Sequence, residues 1–226
     1  MPVVPDFNIE PIYIDNHLLV VNKPAGMLVQ GDRSGDVTLL ELCKIYLKHE
    51  FHKSGNVYLG LVHRLDRPTG GIIVFARTSK SAARLSEQIR KKLVHKKYMA
   101  LIEGKIKARG EFCDYLDREE KTGKIVAKNK GKYAKLIFER IYQRSDHALV
   151  SIDLITGRHH QIRVQFAHRG YPILGDIKYG SRKRYAGRNI ALFAYSMTFE
   201  HPVRKEILTI EASWKDVELF KLWSDW

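Results

Sequence analysis

A chain of 226 residues with 44% hydrophobic content is long enough to bury a core, as one large or two small domains, which excludes a disordered or fibrous polymer. Its 39 lysines and arginines against 25 acidic residues give a net charge of +14 with no acidic block to offset it, which points to a polyanionic partner. No apolar run reaches 18 residues, and MPVVPDFNIE lacks the basic start and apolar centre of a signal peptide, so a soluble, cytoplasmic protein with no membrane partner is expected.

Residues 12–22, IYIDNHLLVVN, predict two short strands around an Asp15-Asn16 turn, interrupted by Lys23-Pro24-Ala25-Gly26, with a further strand candidate at 27–29. Thr38 and Glu41 have the spacing of a capping box, and Leu40, Cys43 and Leu47 follow at helical spacing, which predicts a helix over 38–49. The stretch 59–77, LGLVHRLDRPTGGIIVFAR, reads as strand, tight turn and buried strand, with Asp66 at its centre. Pro68 fixes its own backbone angle and pushes Arg67 towards extended geometry, while Gly70 and Gly71 admit conformations that other residues resist. Ser79 then caps a second helix, whose Leu85, Ile89 and Leu93 form one stripe opposite a basic face.

A strand is expected over 96–103, a hairpin region over 109–135, and an antiparallel pair over 132–144 and 148–154, in which Ala148, Val150, Ile152 and Leu154 face one way. After Thr156-Gly157 a short helix carries Ile162 and Phe166 on one face and stops at Gly170. A basic loop at 181–189 precedes two strands, 191–199 and 206–211, joined by His201-Pro202, and a closing helix carries Val217, Phe220 and Trp223. Strands outnumber helices and turns are short, so the expected fold is α+β, with a mixed, mostly antiparallel central β-sheet and flanking helices and loops, in one domain over 1–226. Cys43 and Cys113 stand alone in apolar surroundings without ligand spacing and are expected as buried free thiols.

Two polar junctions carry the candidate chemistry. Asp66 is either a turn residue whose carboxylate satisfies nearby backbone N–H groups or a catalytic carboxylate acting as nucleophile or base. The second junction is 156–163, TGRHHQIR, where Arg158 at a helix start opposes the helix dipole and calls for a nearby carboxylate. An Asp66–Arg158 pair would hold the carboxylate ionised, as a nucleophile or base requires at neutral pH. His63, His159 and His160 do not form a metal set, because adjacent His159 and His160 are expected on different helix faces and no two-His, one-carboxylate spacing emerges. Tyr98 reads equally as a strand aromatic or as a ring that stacks a base among Arg90, Lys91, Lys92, Lys96 and Lys97. The basic runs 121–135 and 182–188 suit phosphate contacts.

These residues fall into motifs that resemble the RluA family of RNA pseudouridine synthases over nearly the whole chain. His63 to Gly71 matches the H-R-L-D turn and its T-G-G sequel, Lys96, Tyr98 and Ala100 match K-x-Y-x-A, and Thr156 to Arg163 matches T-G-R-x-H-Q-I-R, while LLVVNKPAG and GYPILGDIKYG match the opening and closing segments. Gly70 stands where the family usually has Ser, and Tyr171 where His is usual. The resemblance implies that Asp66 is the catalytic aspartate, Tyr98 the tyrosine stacked on uracil, Arg158 the ion-pair partner of Asp66, and Arg64 the residue that fills the space left by a flipped nucleotide. It adds His63, Arg67, Lys96, Gln161 and Arg163 to the substrate-binding set. It also implies structured RNA, ribosomal or transfer, rather than DNA as partner, with no cofactor and no metal. A monomer is expected, and with LLVVNKPAG starting at residue 18, no S4-type RNA-binding module before it. Two other readings compete: a nucleoside glycosidase, which would need a second carboxylate that 59–77 lacks, and a non-catalytic basic RNA-binding protein, which leaves the Asp66 turn unexplained.

Overall fold

The computed structural model describes residues 9–119, 122–185, 189–215 and 220. In chain order these form β1 (Pro11–Ile14), β2 (Leu18–Lys23), α1 (Leu39–Glu50), β3 (Gly60–Leu61), β4 (Gly70–Ala76), α2 (Ser79–Arg90), β5 (His95–Glu103), β6 (Arg109–Glu119), β7 (Thr122–Ile125), β8 (Lys132–Gln143), β9 (His147–Leu154), α3 (Gln161–His168), β10 (Leu192–Glu200) and β11 (Ile207–Glu211). The fold is α+β with a mostly antiparallel sheet, and the chain divides into two compact units, Met1–Val94 with Thr198–Ala212 and His95–Met197 with Ser213–Trp226. Among the described residues no helix is long and apolar enough to cross a membrane.

In the first unit β2 lies between β1 and β4, antiparallel to both, and its register with β4 runs from Leu18↔Ala76 to Lys23↔Gly71. β4 is buried along its whole length, as its GGIIVFA sequence requires. The α1 capping box forms as read: Thr38 Oγ1 accepts the Glu41 N–H at 3.2 Å while the Glu41 carboxylate accepts the Thr38 N–H at 2.9 Å. The helix then buries Leu39, Leu42, Cys43 and Leu47. The stretch 27–29 makes no strand, since Leu28 contributes one isolated parallel bridge to Thr38.

Helix α2 departs from the sequence reading at both ends. Its cap is Thr78, whose Oγ1 accepts the Ser81 N–H at 3.1 Å, so Ser79 is the first helical residue. At the other end Lys92 turns left-handed (φ 59°), and the N–H groups of Lys92 and Leu93 close back on the carbonyls of Ile89 and Gln88 at 3.1 and 2.9 Å. Leu93 thus leaves the apolar stripe and stands 57% exposed.

In the second unit the strand order is β10-β5-β9-β8-β6-β7, with β5, β9, β8, β6 and β7 successively antiparallel. Phe112, Phe138 and Phe166 of β6, β8 and α3 meet with ring centroids 4.9–5.7 Å apart, and Leu116, Ala134 and Val164 form a further cluster against which Ile125 and Tyr179 pack. The alternation that buries Phe112 and Leu116 turns Cys113 outward, so of the two free thiols only Cys43 is buried. Of the expected closing helix, Val217 and Trp223 lie outside the described residues, while Phe220 is fully buried and meets Trp214 edge-on.

Candidate active site

The first unit holds Asp66 on a short, tied loop. β3 pairs with β4 through Gly60↔Ala76 and Leu61↔Phe75, and residues 62–69 bridge the two strands. Beyond the last pair the His63 ring takes over from the backbone, its Nε2 accepting the Val74 N–H of β4 at 3.0 Å, so that nitrogen carries no proton. The turn itself closes through Thr69 N–H to Asp66 O at 3.0 Å. Leu65 and Thr69 face inward, whereas Arg64 is exposed and Asp66 half-buried, which offers a carboxylate and a guanidinium from a backbone with little freedom.

A second segment clamps this loop. Gly26 N–H donates to Arg67 O at 2.8 Å and Arg67 Nε returns to Gly26 O at 3.0 Å, while Arg67 also pairs with Asp36 at 2.7 Å, so this guanidinium is engaged by the protein's own loops. Lys23, which the sequence reading passed over, is the main tie. Its side chain is fully buried and its ammonium donates to the carbonyls of Pro24, Met27 and Arg67 at 2.9, 2.8 and 3.0 Å. Burial pulls its pKa down to about 7, and Arg67 adds to that, against the nearby Asp66 carboxylate, which favours the charged amine. The signal available in sequence is a lone lysine closing the apolar strand LLVVNK.

The second unit carries the remaining candidates. Tyr98 is a buried residue of β5, opposite Ile152 of β9, and Lys96 precedes it on the same face, half-buried and lowered by that burial to about 8. Arg158 sits on the turn between β9 and α3. Its Nε donates to Tyr133 O at 2.9 Å, and its backbone N–H donates to Gln161 Oε1 at 3.0 Å. Gln161 is the knot of this turn: Oε1 also accepts Thr156 Oγ1 at 2.7 Å, and Nε2 donates to Lys135 O at 3.1 Å.

Gln161 and Arg163 are both buried with these polar atoms turned inward; Arg163 is held by Asp176 through two bonds of 2.6 and 2.8 Å. Such placement shapes the turn that presents Arg158. His159 and His160 are not splayed to different helix faces. Both precede α3, and the left-handed conformation of His160 (φ 51°) lays the rings in a stack 3.8 Å apart, at a backbone cost of about 1–2 kcal/mol.

The RNA pseudouridylate synthase family matches residues 17–168. The chain is 35% identical over 219 residues to the ribosomal large subunit pseudouridine synthase C of Buchnera aphidicola subsp. Baizongia pistaciae (strain Bp), covering 91% of this chain and 67% of that protein. It is 33% identical to an uncharacterized RNA pseudouridine synthase of Bacillus subtilis (strain 168), covering 93% and 70%. The fold is shared with human RNA Pseudouridylate Synthase Domain Containing 4, at a TM-score of 0.75 and 23% identity over 90% of this chain and 87% of that one. The chain belongs to the RNA pseudouridylate synthase family and is by that membership an RNA pseudouridine synthase, an isomerase. It spans 62% of the length of the ribosomal large subunit pseudouridine synthase C of Buchnera aphidicola subsp. Schizaphis graminum (strain Sg) and 73% of that of the ribosomal large subunit pseudouridine synthase D of Zymomonas mobilis subsp. mobilis (strain ATCC 31821 / ZM4 / CP4).

Proposed function

We propose that this chain isomerises uridine in ribosomal RNA as a single catalytic domain, acting as a cytoplasmic monomer without cofactor or metal. The observation that carries the reading is Asp66 itself, half-buried on a turn closed by Thr69 and set beside the buried Lys23, within the stretch that the family matches. The ribosomal target is supported by relatives named for the large ribosomal subunit.

A uridine inside folded RNA must be extruded, at a cost of a few kcal/mol, before its glycosidic bond is accessible. In this reading exposed Arg64 fills the vacated space and offsets part of that loss. Asp66, with Arg158 as its counter-charge, promotes breakage of the N1–C1′ bond, either by attacking C1′ or by taking the C2′ proton. The freed uracil, stacked on Tyr98, turns and rejoins C1′ through C5 as the Asp66–C1′ bond breaks or, on the other route, as the C2′ proton returns. The C5 proton passes to a base, the Tyr98 hydroxyl, and N1 gains a proton, so the isomerisation leaves the mass unchanged. Basic side chains hold the flanking phosphates.

Tritium release from RNA carrying 5-tritiated uridine tests this directly, because the new C5 bond must expel the label. Wild type should release it from ribosomal transcripts, with transfer RNA transcripts run alongside. Asp66→Asn should lower release more than about 10³-fold, since an isosteric amide neither attacks nor accepts a proton, while RNA affinity stays within about twofold. Substantial turnover by Asp66→Asn would remove the assigned role, and release from transfer RNA alone would move the target.

A further inference from the structure

The closing segment 170–180, GYPILGDIKYG, carries none of the chemical roles above, yet its polar groups form a ring with α3 inside the second unit. Arg163 of α3 grips the Asp176 carboxylate, and the Asp176 carbonyl accepts the N–H groups of Tyr179 and Ser181 at 2.9 and 3.0 Å. That turn brings the Tyr179 ring to 4.9 Å from the Arg163 guanidinium carbon. The Tyr179 hydroxyl then returns to the start of the helix, 2.7 Å from His160 Nδ1, and accepts the Gly123 N–H of β7 at 2.8 Å.

Both partners of that hydroxyl are conformationally demanding. His160 stands left-handed before α3, where no side chain caps the helix. Gly123 lies so close to the same turn that an added Cβ would meet Val164 Cγ2 at 2.9 Å and the His159 carbonyl oxygen at 3.0 Å. One phenol oxygen therefore joins β7 to the residue two places after Arg158, at the point where the turn is least able to hold itself.

We propose that Tyr179 is a positioning residue of the pseudouridine synthase reaction: its hydroxyl locks His160 to β7 and so fixes the turn that presents Arg158. The inference rests on the role assigned to Arg158 above. Gln161 ties the Arg158 backbone from one side, through bonds of 3.0 and 3.1 Å, and Tyr179 holds the following histidine from the other.

Tyr179→Phe isolates the hydroxyl, because the ring and its contact with Arg163 remain. In tritium release at saturating RNA, kcat should fall about 10- to 100-fold with KM within about twofold, as displacement of a reacting group requires. Gly123→Ala should act on the same turn, so the double variant should lose less than the product of the two single effects. Two readouts need no activity: the Gly123 amide should exchange faster in Tyr179→Phe, and the ¹⁵N shift of His160 Nδ1 should move. If wild type releases no tritium from any RNA, the proposed reaction falls, and the amide and ring shifts alone decide whether Tyr179 sets the turn. Wild-type kcat in Tyr179→Phe, an unmoved His160 Nδ1 shift, or a rate loss matched by an equal loss of folded protein would each overturn the proposal.

Discussion

At Lys23 hydrogen bonding and burial act in opposite directions on one side chain. Three carbonyl oxygens use all three donors of an ammonium, which favours the charged form, while complete burial opposes it and brings the pKa to about 7. Because the folded value lies below the ordinary 10.5, the unfolded chain binds a proton between about pH 7 and 10.5 that the folded chain does not. The contribution of this site to stability is therefore lowest below pH 7 and rises with pH across that window, by up to about 1.4 kcal/mol per pH unit. Urea unfolding of wild type and Lys23→Met from pH 6 to 10 measures it: the wild-type curve should climb relative to the variant. Parallel curves would mean that Lys23 stays protonated throughout and that its carbonyl cage outweighs burial.

At the scale of elements, single side chains that complete helix ends make separable contributions to stability. Thr38 is buried and holds both halves of the α1 capping box, so Thr38→Ala should destabilise by about 1 kcal/mol and lower Tm by about 2–4 °C, with activity at moderate temperature unchanged. A Tm within 1 °C of wild type would show that tertiary packing, not the cap, starts this helix. The α1 cap was legible because Thr38 and Glu41 stand at the one spacing that allows reciprocal bonds. The sequence places the cap of α2 one residue late, at Ser79, because Ser and Thr are both capping types and only the fold selects Thr78. The end of α2 was hidden: Leu93 continues the apolar spacing, and nothing in the sequence announces that Lys92 takes the left-handed position usually given to glycine. Cys113 was misread because an apolar neighbourhood in sequence is not one in space when successive strand residues face opposite ways. Asp66, Tyr98 and Arg158 are candidates from motif resemblance, whereas the ties of Lys23 to Arg67 and of Tyr179 to Gly123 join groups distant in sequence, which no local pattern encodes.

For the whole molecule the dominant quantity is charge. A net +14 on 226 residues sets up a field that draws in a polyanion before any specific contact forms, and each phosphate neutralised on binding releases counterions. The logarithm of RNA affinity should therefore fall linearly with the logarithm of salt concentration, with a slope of about 0.7–0.9 per phosphate contact, and six to ten contacts would weaken binding about 10³–10⁵-fold between about 50 and 200 mM salt. Lys128 and Lys130, between β7 and β8, and Lys132, the first residue of β8, are all exposed. If they track the RNA backbone, replacing all three with glutamine should reduce the slope by about 2–3 and weaken every RNA sequence about equally, leaving kcat on saturating substrate intact. Fluorescence anisotropy with a labelled ribosomal stem-loop over a salt series makes the measurement. A slope that the triple variant leaves unchanged would place the phosphate contacts on other basic segments, of which the 182–184 stretch is the next to replace. A flat slope in wild type would mean that the excess charge serves solubility rather than recognition.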